Sequence, residues 1–217
     1  MLHRLNDRRI IRTSLWCETL ENRIVPAFTL DTTFAGGGRA TAHFGAGDDA
    51  VQAVVEQADG KIVVVGVSGS TSSDFYAVRI TATGGMDSAF GTGGVVTVNM
   101  GATDLATRVV LQSDGKIVIG GTTNLDFGLL RLNTNGTLDS TFGVSGKVIT
   151  NIAGTDQLLG LAVRPDGRIV AAGSATVSGT GVDFALARYT AAGVLDPTFD
   201  GDGKRTIAAG SSFDVVN

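Results

Sequence analysis

The sequence predicts an all-β protein built from consecutive β-propeller blades behind a short basic leader. Three observations support this prediction. Three sequence markers recur in one order along the chain, the segments between them are short and β-rich, and several of these segments are apolar on both faces. The 31 glycines among 217 residues, against 3 prolines, indicate many tight turns.

The three markers define a repeat of between 52 and 57 residues. The first, Leu/Met-Asp-x-x-Phe, has its aspartate at Asp31, Asp87, Asp139 and Asp196. The second, Asp-Gly-Lys/Arg-Ile-Val, begins at Asp59, Asp114 and Asp166. The third, Asp-Phe followed by an arginine four places after the Phe, supplies Arg79, Arg131 and Arg188. Residues 28–217 therefore form three complete repeats and a partial fourth, at about 30–85, 86–137, 138–194 and 195–217.

Each repeat predicts four strands. In the first repeat these are Arg39–Phe44, Ala50–Gln57, Lys61–Val67 and Phe75–Thr81, and the counterparts of Arg39–Phe44 follow Gly94, Gly146 and Gly203. The Asp-Gly dipeptide between the second and third strands predicts a tight hairpin, because a primed turn needs the positive φ that glycine adopts without strain.

Patterning along the strands distinguishes between architectures. Ile62–Val65 and Phe127–Leu132 are apolar on both faces, which is typical of sheets covered on both sides. Small antiparallel sheets that cover one another describe stacked propeller blades, and the repeat length lies just above those of kelch and WD40 propellers. Helical solenoids are excluded by the β-branched residues and glycines, and a β-solenoid would have shorter coils.

Composition excludes several classes of function. The net charge of −4 and the pI of about 5.1 argue against a nucleic-acid surface. A single cysteine, Cys17, excludes an internal disulfide framework and a cysteine-rich zinc site. No apolar run approaches the roughly 18 residues of a membrane span.

Residues 1–27 differ from the rest of the chain in charge. They carry five arginines against three acids, whereas residues 28–217 carry 12 basic against 18 acidic side chains. The apolar stretch at Ile10-Ile11 is too short for an ordinary secretory signal. Residues 15–27 resemble the L-x-x-E-x-L-E-x-R-x-V-P-A leader of large bacterial cell-surface proteins. That resemblance implies export to the cell surface or the extracellular space.

The repeats resemble a second known group. Leu-Asp-x-Thr-Phe-Gly-x-x-Gly-Lys-Val, Asp-Gly-Lys-Ile-Val and Asp-Phe-x-Leu-x-Arg together resemble the delta-60 repeat family of bacteria, over residues 30–217. The resemblance implies a β-propeller fold and a function that is not characterised.

The recurring charged residues are interpreted as structural. The aspartates at 31, 87, 139 and 196 lie beside turns, where a carboxylate caps backbone N–H groups. Asp49, Asp104 and Asp156 precede the hairpin aspartates by ten residues and are expected to cap or orient the second strand. The repeated arginines lie in apolar strands, where an unpaired charge is costly, so each is expected to pair with a recurring aspartate of its own or the adjacent blade.

No catalytic, cofactor or metal site is predicted. Asp200-Gly-Asp202-Gly203 resembles the start of a calcium loop, but Lys204 and Arg205 follow where further oxygen ligands would be needed. His43 is the only histidine of the repeat region, and no serine nucleophile motif is present. An active site requires residues that break the repeat symmetry, whereas the aspartates recur in every unit.

Two classes of function remain. The first is a non-catalytic cell-surface or secreted propeller that binds a protein or a glycan, or has a structural role. The loops that vary most, Ser68–Ser73, Thr122–Leu125 and Ser174–Val182, would carry the binding. The second is part of a propeller enzyme, such as a carbohydrate-acting hydrolase, with its catalytic residues on blades outside this sequence.

Three blades and a partial fourth would leave apolar blade faces uncovered, since propellers have roughly 4–8 blades. Either the chain is a fragment of a longer propeller, or further copies complete a ring.

Overall fold

A computed structural model describes residues 29–41, 49–68 and 74–208, and their regular structure is almost entirely β-strand. Residues 1–30 and 31–217 form separate compact units, and only Thr29 and Leu30 of the first are described. The predicted leader, residues 1–27, lies outside the described residues. The second unit begins with a short 3₁₀ turn at Phe34–Gly36.

The described strands form three four-stranded antiparallel sheets, in each of which consecutive strands are neighbours. The first sheet contains β1 (Asp49–Glu56), β2 (Ile62–Ser68), β3 (Phe75–Ile80) and β4 (Val95–Val98). The second contains β5 (Asp104–Leu111), β6 (Ile117–Thr123), β7 (Asp126–Leu132) and β8 (Lys147–Thr150). The third contains β9 (Asp156–Val163), β10 (Ile169–Val177), β11 (Gly181–Tyr189) and β12 (Lys204–Ile207).

The sheets stack face to face around their first strands. β5 contacts β1, β2 and β3 of the sheet before it, and β9 contacts β5, β6 and β7 in the same way. First strands that meet one another are the innermost strands of propeller blades, and the short fourth strands lie outermost. The propeller prediction is therefore confirmed, and the three described sheets leave the ring open.

The middle sheet has both faces buried, as the apolar pattern of its strands predicts. Ile117, Ile119, Leu130 and Leu132 pack into a core shared with the first sheet. Val118, Phe127 and Leu129, which alternate with them, pack into a second core shared with the third sheet. The outer faces of the first and third sheets are only partly covered, so their strands alternate between buried and more exposed positions.

The sheets are offset from the sequence repeats. The strand after each Leu-Asp-x-x-Phe motif was expected to open its own repeat, but β4, β8 and β12 close the preceding sheet. The reason is a turn in which Gly94 N–H donates to Phe90 O at 2.9 Å, while Arg79 N–H donates to Gly94 O at 2.9 Å. These bonds reverse the chain direction, so that β4 pairs with β3. Of the predicted strand Arg39–Phe44, residues 39–41 are not strand and residues 42–44 lie outside the described residues.

A β-bulge recurs in the first strand of each sheet, between Val51 and Ala53 in the first. The residue opposite is always a glycine: Gly66, Gly121 and Gly173. A Cβ on Gly121 would lie 1.9 Å from Leu105 O, so only glycine allows this close approach. The bulged Thr107 donates its hydroxyl to Leu158 O at 2.9 Å and joins β5 to β9.

Among the described residues, no helix combines the length and apolar character that crossing a bilayer requires.

The contact between neighbouring sheets can be tested at Gly136, in the turn between β7 and β8. Its φ is +86°, and a Cβ there would lie 2.7 Å from Gly91 N and 2.9 Å from the Phe90 ring of the preceding sheet. Gly179 has a φ of +95°, but a Cβ there would have no atom within 4 Å. Substitution of Gly179 therefore measures the backbone strain without a steric clash. We expect Gly179→Ala to lower the free energy of unfolding by about 1 kcal/mol, and Gly136→Ala by about 1–3 kcal/mol more. Urea unfolding followed by circular dichroism measures both. Equal losses would contradict the close packing of the sheets at this turn.

Candidate functional site

One ion pair recurs in every described sheet and joins the third strand to the motif that follows it. The Arg79 Nε donates to Asp87 Oδ2 at 2.8 Å, and Arg131 does the same to Asp139 at 2.8 Å. Arg188 pairs with Asp196 at 2.9 Å. The expected pairing of each arginine with a recurring aspartate is confirmed, and the partner is the aspartate of Leu/Met-Asp-x-x-Phe.

Each arginine also lies over the phenylalanine of the same motif. The guanidinium carbon is 4.5 Å from the ring centroid for Arg79 over Phe90, 4.7 Å for Arg131 over Phe142 and 5.0 Å for Arg188 over Phe199. The ring faces attract the cations. We call each set of arginine, aspartate and phenylalanine a cassette.

The first two cassettes reach across to the next sheet. Nη1 of Arg79 donates to Thr134 O, and Nη1 of Arg131 donates to Ala191 O. The residue after each phenylalanine adds a backbone bond to the neighbouring carbonyl, at 2.9 Å from Gly91 N to Asn135 O and at 2.8 Å from Gly143 N to Ala192 O. Each of these two cassettes thus holds the turn between the third and fourth strands of the following sheet.

The cassette aspartates also cap their own turns, as the sequence predicts. Oδ1 of Asp139 accepts from Thr141 N at 3.1 Å and from the Thr141 hydroxyl at 2.7 Å. Asp196 accepts from Thr198, and Asp31 from Thr33, in the same manner. The Thr198 hydroxyl, with Arg188 nearby, lowers the pKa of Asp196 to about 2. Burial opposes ionisation of Asp139, but Thr141, Lys116 and Arg131 together hold its pKa well below the usual value.

The hairpin aspartates form a second layer of charges. Oδ1 of Asp59, Asp114 and Asp166 each accepts the backbone N–H two residues later, at 3.1–3.2 Å. The basic side chain of that later residue then reaches the cassette aspartate. The Lys116 Nζ is 3.0 Å from Asp139 Oδ2, and the Arg168 Nε is 2.9 Å from Asp196 Oδ2. The basic residue of Asp-Gly-Lys/Arg is therefore part of the same network, a role that sequence reasoning missed although the residue recurs.

The aspartates at 104 and 156 begin the innermost strands of their sheets. Asp104 is fully buried and accepts from Met100 N at 2.6 Å, Gly101 N at 3.0 Å and the Thr123 hydroxyl. Asp156 accepts from Ile152 N at 2.6 Å and Ala153 N at 3.1 Å. Both carboxylates cap the connector that enters the innermost strand, as expected. Burial raises the pKa of Asp156.

The calcium-like segment and the acidic side chains of the described residues can be compared with a metal site. Asp200 pairs with Arg205 at 2.6 Å and Asp202 accepts from Lys204 N at 2.8 Å, so the calcium-like segment is a turn held by its own neighbours. Within residues 29–41, 49–68 and 74–208, no three His, Cys, Asp or Glu side chains gather where they could hold a metal ion. His43 and Cys17 lie outside the described residues.

Among the described residues, the turns between β6 and β7 and between β10 and β11 lie at the end of the sheets opposite the cassettes, and we call this region the loop end. Asn124 and Leu125 form the β6–β7 turn with positive φ, and the Leu125 side chain is 57% exposed. Asn124 N donates to Thr103 O at 3.0 Å, and Leu125 O accepts from Asp156 N at 2.6 Å. The β6–β7 turn is therefore bonded to residues at the start of β5 in its own sheet and at the start of β9 in the next sheet. The β10–β11 turn spans residues 178–180, and residues 69–73 lie outside the described residues.

A second surface feature lies on the outer edge. A cavity of about 600 Å³ is lined by Val144, Val148, Ile149 and Val194, with Lys147 at its side. Val144 is 81% exposed. Between the first two sheets, Val148 has an apolar counterpart in Val96, whereas the counterparts of Val144, Ile149 and Val194 are Thr92, Thr97 and Thr137. Three of the four apolar positions of this cavity therefore break the repeat symmetry.

The cassette can be tested by removing one arginine. Arg131→Ala leaves Asp139, whose side chain is 6% exposed, without its guanidinium partner and frees Ala191 O at the seam. We expect a loss of about 3 kcal/mol in the free energy of unfolding. Arg205→Ala is the control because its side chain is 50% exposed and pairs with Asp200, and there we expect less than about 1 kcal/mol. Chemical denaturation measures both, and losses of similar size would contradict a structural role for the cassette.

One comparison with known families agrees with this geometry. The family model described as "Domain of unknown function (DUF5122) beta-propeller" matches residues 57–90, 112–142 and 164–199. Each match begins just before a hairpin aspartate, contains one cassette arginine and ends at the cassette phenylalanine. No curated protein matches the sequence. The chain is thus a β-propeller repeat protein, similar in each of its three units to the DUF5122 family.

Proposed function

We propose that this chain is a non-catalytic extracellular or cell-surface propeller of the delta-60 type that binds a protein or a glycan through its loop end. The observation that supports the proposal is that the recurring charged side chains form their bonds within the fold. The cassette arginines and aspartates, and the basic residues of the hairpins, bond to one another and to backbone groups. They build the frame, which leaves recognition to residues that differ between the repeats.

The loop end supports a binding role because its loops differ while their supports do not. Rigid sheets present loops of different length, two residues between β6 and β7 and three between β10 and β11. Binding residues commonly lie on variable loops held by a rigid scaffold. The bonds from Asn124 to Thr103 and from Asp156 to Leu125 hold the β6–β7 turn beside the start of β5 and the start of β9. A ligand bound at this turn could therefore contact two blades.

The location proposed for the protein depends on residues 15–27. Their resemblance to the leader of bacterial cell-surface proteins, and their separation in charge from the acidic repeat region, support export.

Binding at the loop end is tested with Leu125→Asp. The full chain would be applied to a printed glycan array and to an array of purified bacterial surface proteins. We expect at least one ligand, and a roughly ten-fold weaker binding constant for Leu125→Asp because a charge replaces an exposed apolar contact. Val144→Asp, at the outer-edge cavity, is the matched control and should bind normally. Loss of binding with Val144→Asp alone would place recognition at the outer edge, and an absence of any ligand would contradict the proposed role.

Export is tested with a fusion of residues 1–27 to an alkaline phosphatase that lacks its own signal. The enzyme becomes active only outside the reducing cytoplasm. We expect activity in intact cells that exceeds that of the same phosphatase without the leader. Equal activities would remove the support for an extracellular location.

A further inference from the structure

The first cassette differs from the other two at the residue before its phenylalanine. In the second and third motifs this residue is a threonine whose hydroxyl accepts from the guanidinium. Nη2 of Arg131 donates to Thr141 Oγ1 at 3.2 Å, and Nη2 of Arg188 donates to Thr198 Oγ1 at 2.8 Å. The first motif has Ala89 at this position. One nitrogen of its cassette arginine therefore lacks the acceptor that the other repeats supply.

This nitrogen belongs to a buried arginine. The Arg79 side chain is 6% exposed, its Nε donates to Asp87 Oδ2 at 2.8 Å, and its Nη1 donates to Thr134 O. Within the described part of the chain, no protein group accepts from Nη2, and this nitrogen is not fully buried. Nη2 is therefore reached from outside the protein, and an acceptor on a ligand would satisfy it.

A cavity of about 550 Å³ lies beside this guanidinium, at the end of the sheets that carries the cassettes. Its volume is within the range of small-molecule binding sites. Residues of the first and second sheets line it, among them Lys61, Arg79, Ala89, Leu111, Ser113 and Asn135. The absence of a threonine hydroxyl at position 89 thus leaves both a donor and the space for a ligand beside it.

The polar side chains that line this cavity offer mainly donors. Oδ1 of Asn135 accepts from Thr137 N at 3.1 Å and from the Thr137 hydroxyl at 2.8 Å, which leaves the amide nitrogen to donate elsewhere. The Lys61 Nζ brings a positive charge, and it holds the carboxylate of Asp59, which also lines the cavity, at 3.1 Å. Leu111 adds an apolar wall. A ligand that is rich in acceptors and has one apolar face matches this lining.

We propose that the cavity binds a sugar acid, a ligand of monosaccharide size whose carboxylate accepts from Nη2 of Arg79. A guanidinium prefers a carboxylate to a neutral acceptor because the opposite charges strengthen the hydrogen bond. The ring hydroxyls would bond to Asn135 and Ser113, and the C–H face of the sugar would pack on Leu111. The cavity lies at the opposite end of the sheets from the loop end, so this inference does not depend on the ligand proposed there.

An NMR titration of the full chain with D-glucuronate tests the site. We expect a dissociation constant of about 1 mM, as a few hydrogen bonds in an open cavity would give. The largest shift changes should be at the backbone amides of Ala89 and Asn135. D-Glucose, which lacks the carboxylate, and acetate, which lacks the ring, should each bind at least about ten-fold more weakly. Absence of saturable glucuronate binding, equal binding of glucose or acetate, or shift changes confined to the loop end would overturn the proposal.

Ala89→Thr closes the site without removing a cassette residue. Ala89 N donates to Asp87 Oδ1 at 3.1 Å, as Thr141 N does to its own cassette aspartate at 3.1 Å, so the turn already has the conformation that a threonine adopts here. The new hydroxyl would accept from Nη2 of Arg79. We expect glucuronate to bind at least about ten-fold more weakly, while the free energy of unfolding stays equal or rises.

Ser88→Thr is the matched control, because it introduces the same side chain at the neighbouring exposed residue, which does not line the cavity. It should bind glucuronate as the unchanged chain does. Urea unfolding followed by circular dichroism measures the stability of both variants. Normal binding by Ala89→Thr, equal losses in both variants, or a lower free energy of unfolding for Ala89→Thr would each contradict an Nη2 that lacks only this acceptor.

Discussion

Everything in this fold depends on an arginine that is held between two sheets. Arg131 pairs with Asp139 of its own blade, lies over Phe142 and donates to Ala191 O of the next blade. A buried guanidinium is tolerated only where its donors are satisfied, so the distance and orientation between neighbouring blades are restricted. The same cassette in the first sheet, and its half-used form in the third, make this constraint the repeating unit of the propeller.

The same constraint distinguishes the recurring residues that hold the blades together from the residues that differ between the repeats. The cassette arginines and aspartates are paired and capped, which lowers the pKa of Asp139 and Asp196. Departures from the symmetry lie elsewhere, in the loop-end turns and in the apolar cavity beside Val144. A repeat protein can vary these positions freely because the cassette and the bulge glycines already position the backbone.

Stacked blades leave a difference between the middle and the ends of the array. The middle sheet is buried on both faces, whereas Val51 and Val54 at one end and Leu186 at the other keep exposed apolar surface. A ring removes this difference because each blade then has two neighbours. The first motif, Asp31–Gly36, makes the equivalent backbone bond to the first sheet, from Ala35 N to Thr83 O.

The sequence by itself determined the repeat, the all-β class, the propeller and the pairing of arginine with aspartate, because the period, the two-sided apolar strands and the cost of an unpaired buried charge are all readable from residue types. It could not decide which of the recurring aspartates pairs with Arg79, nor that β4 closes the sheet before it. Both depend on backbone bonds, such as that between Gly94 and Phe90, that reverse the chain. The seam acceptors are carbonyls of Thr134 and Ala191, and any residue type carries a carbonyl. Only the tertiary structure, which brings residues 55 and 60 positions apart into contact, could therefore locate them.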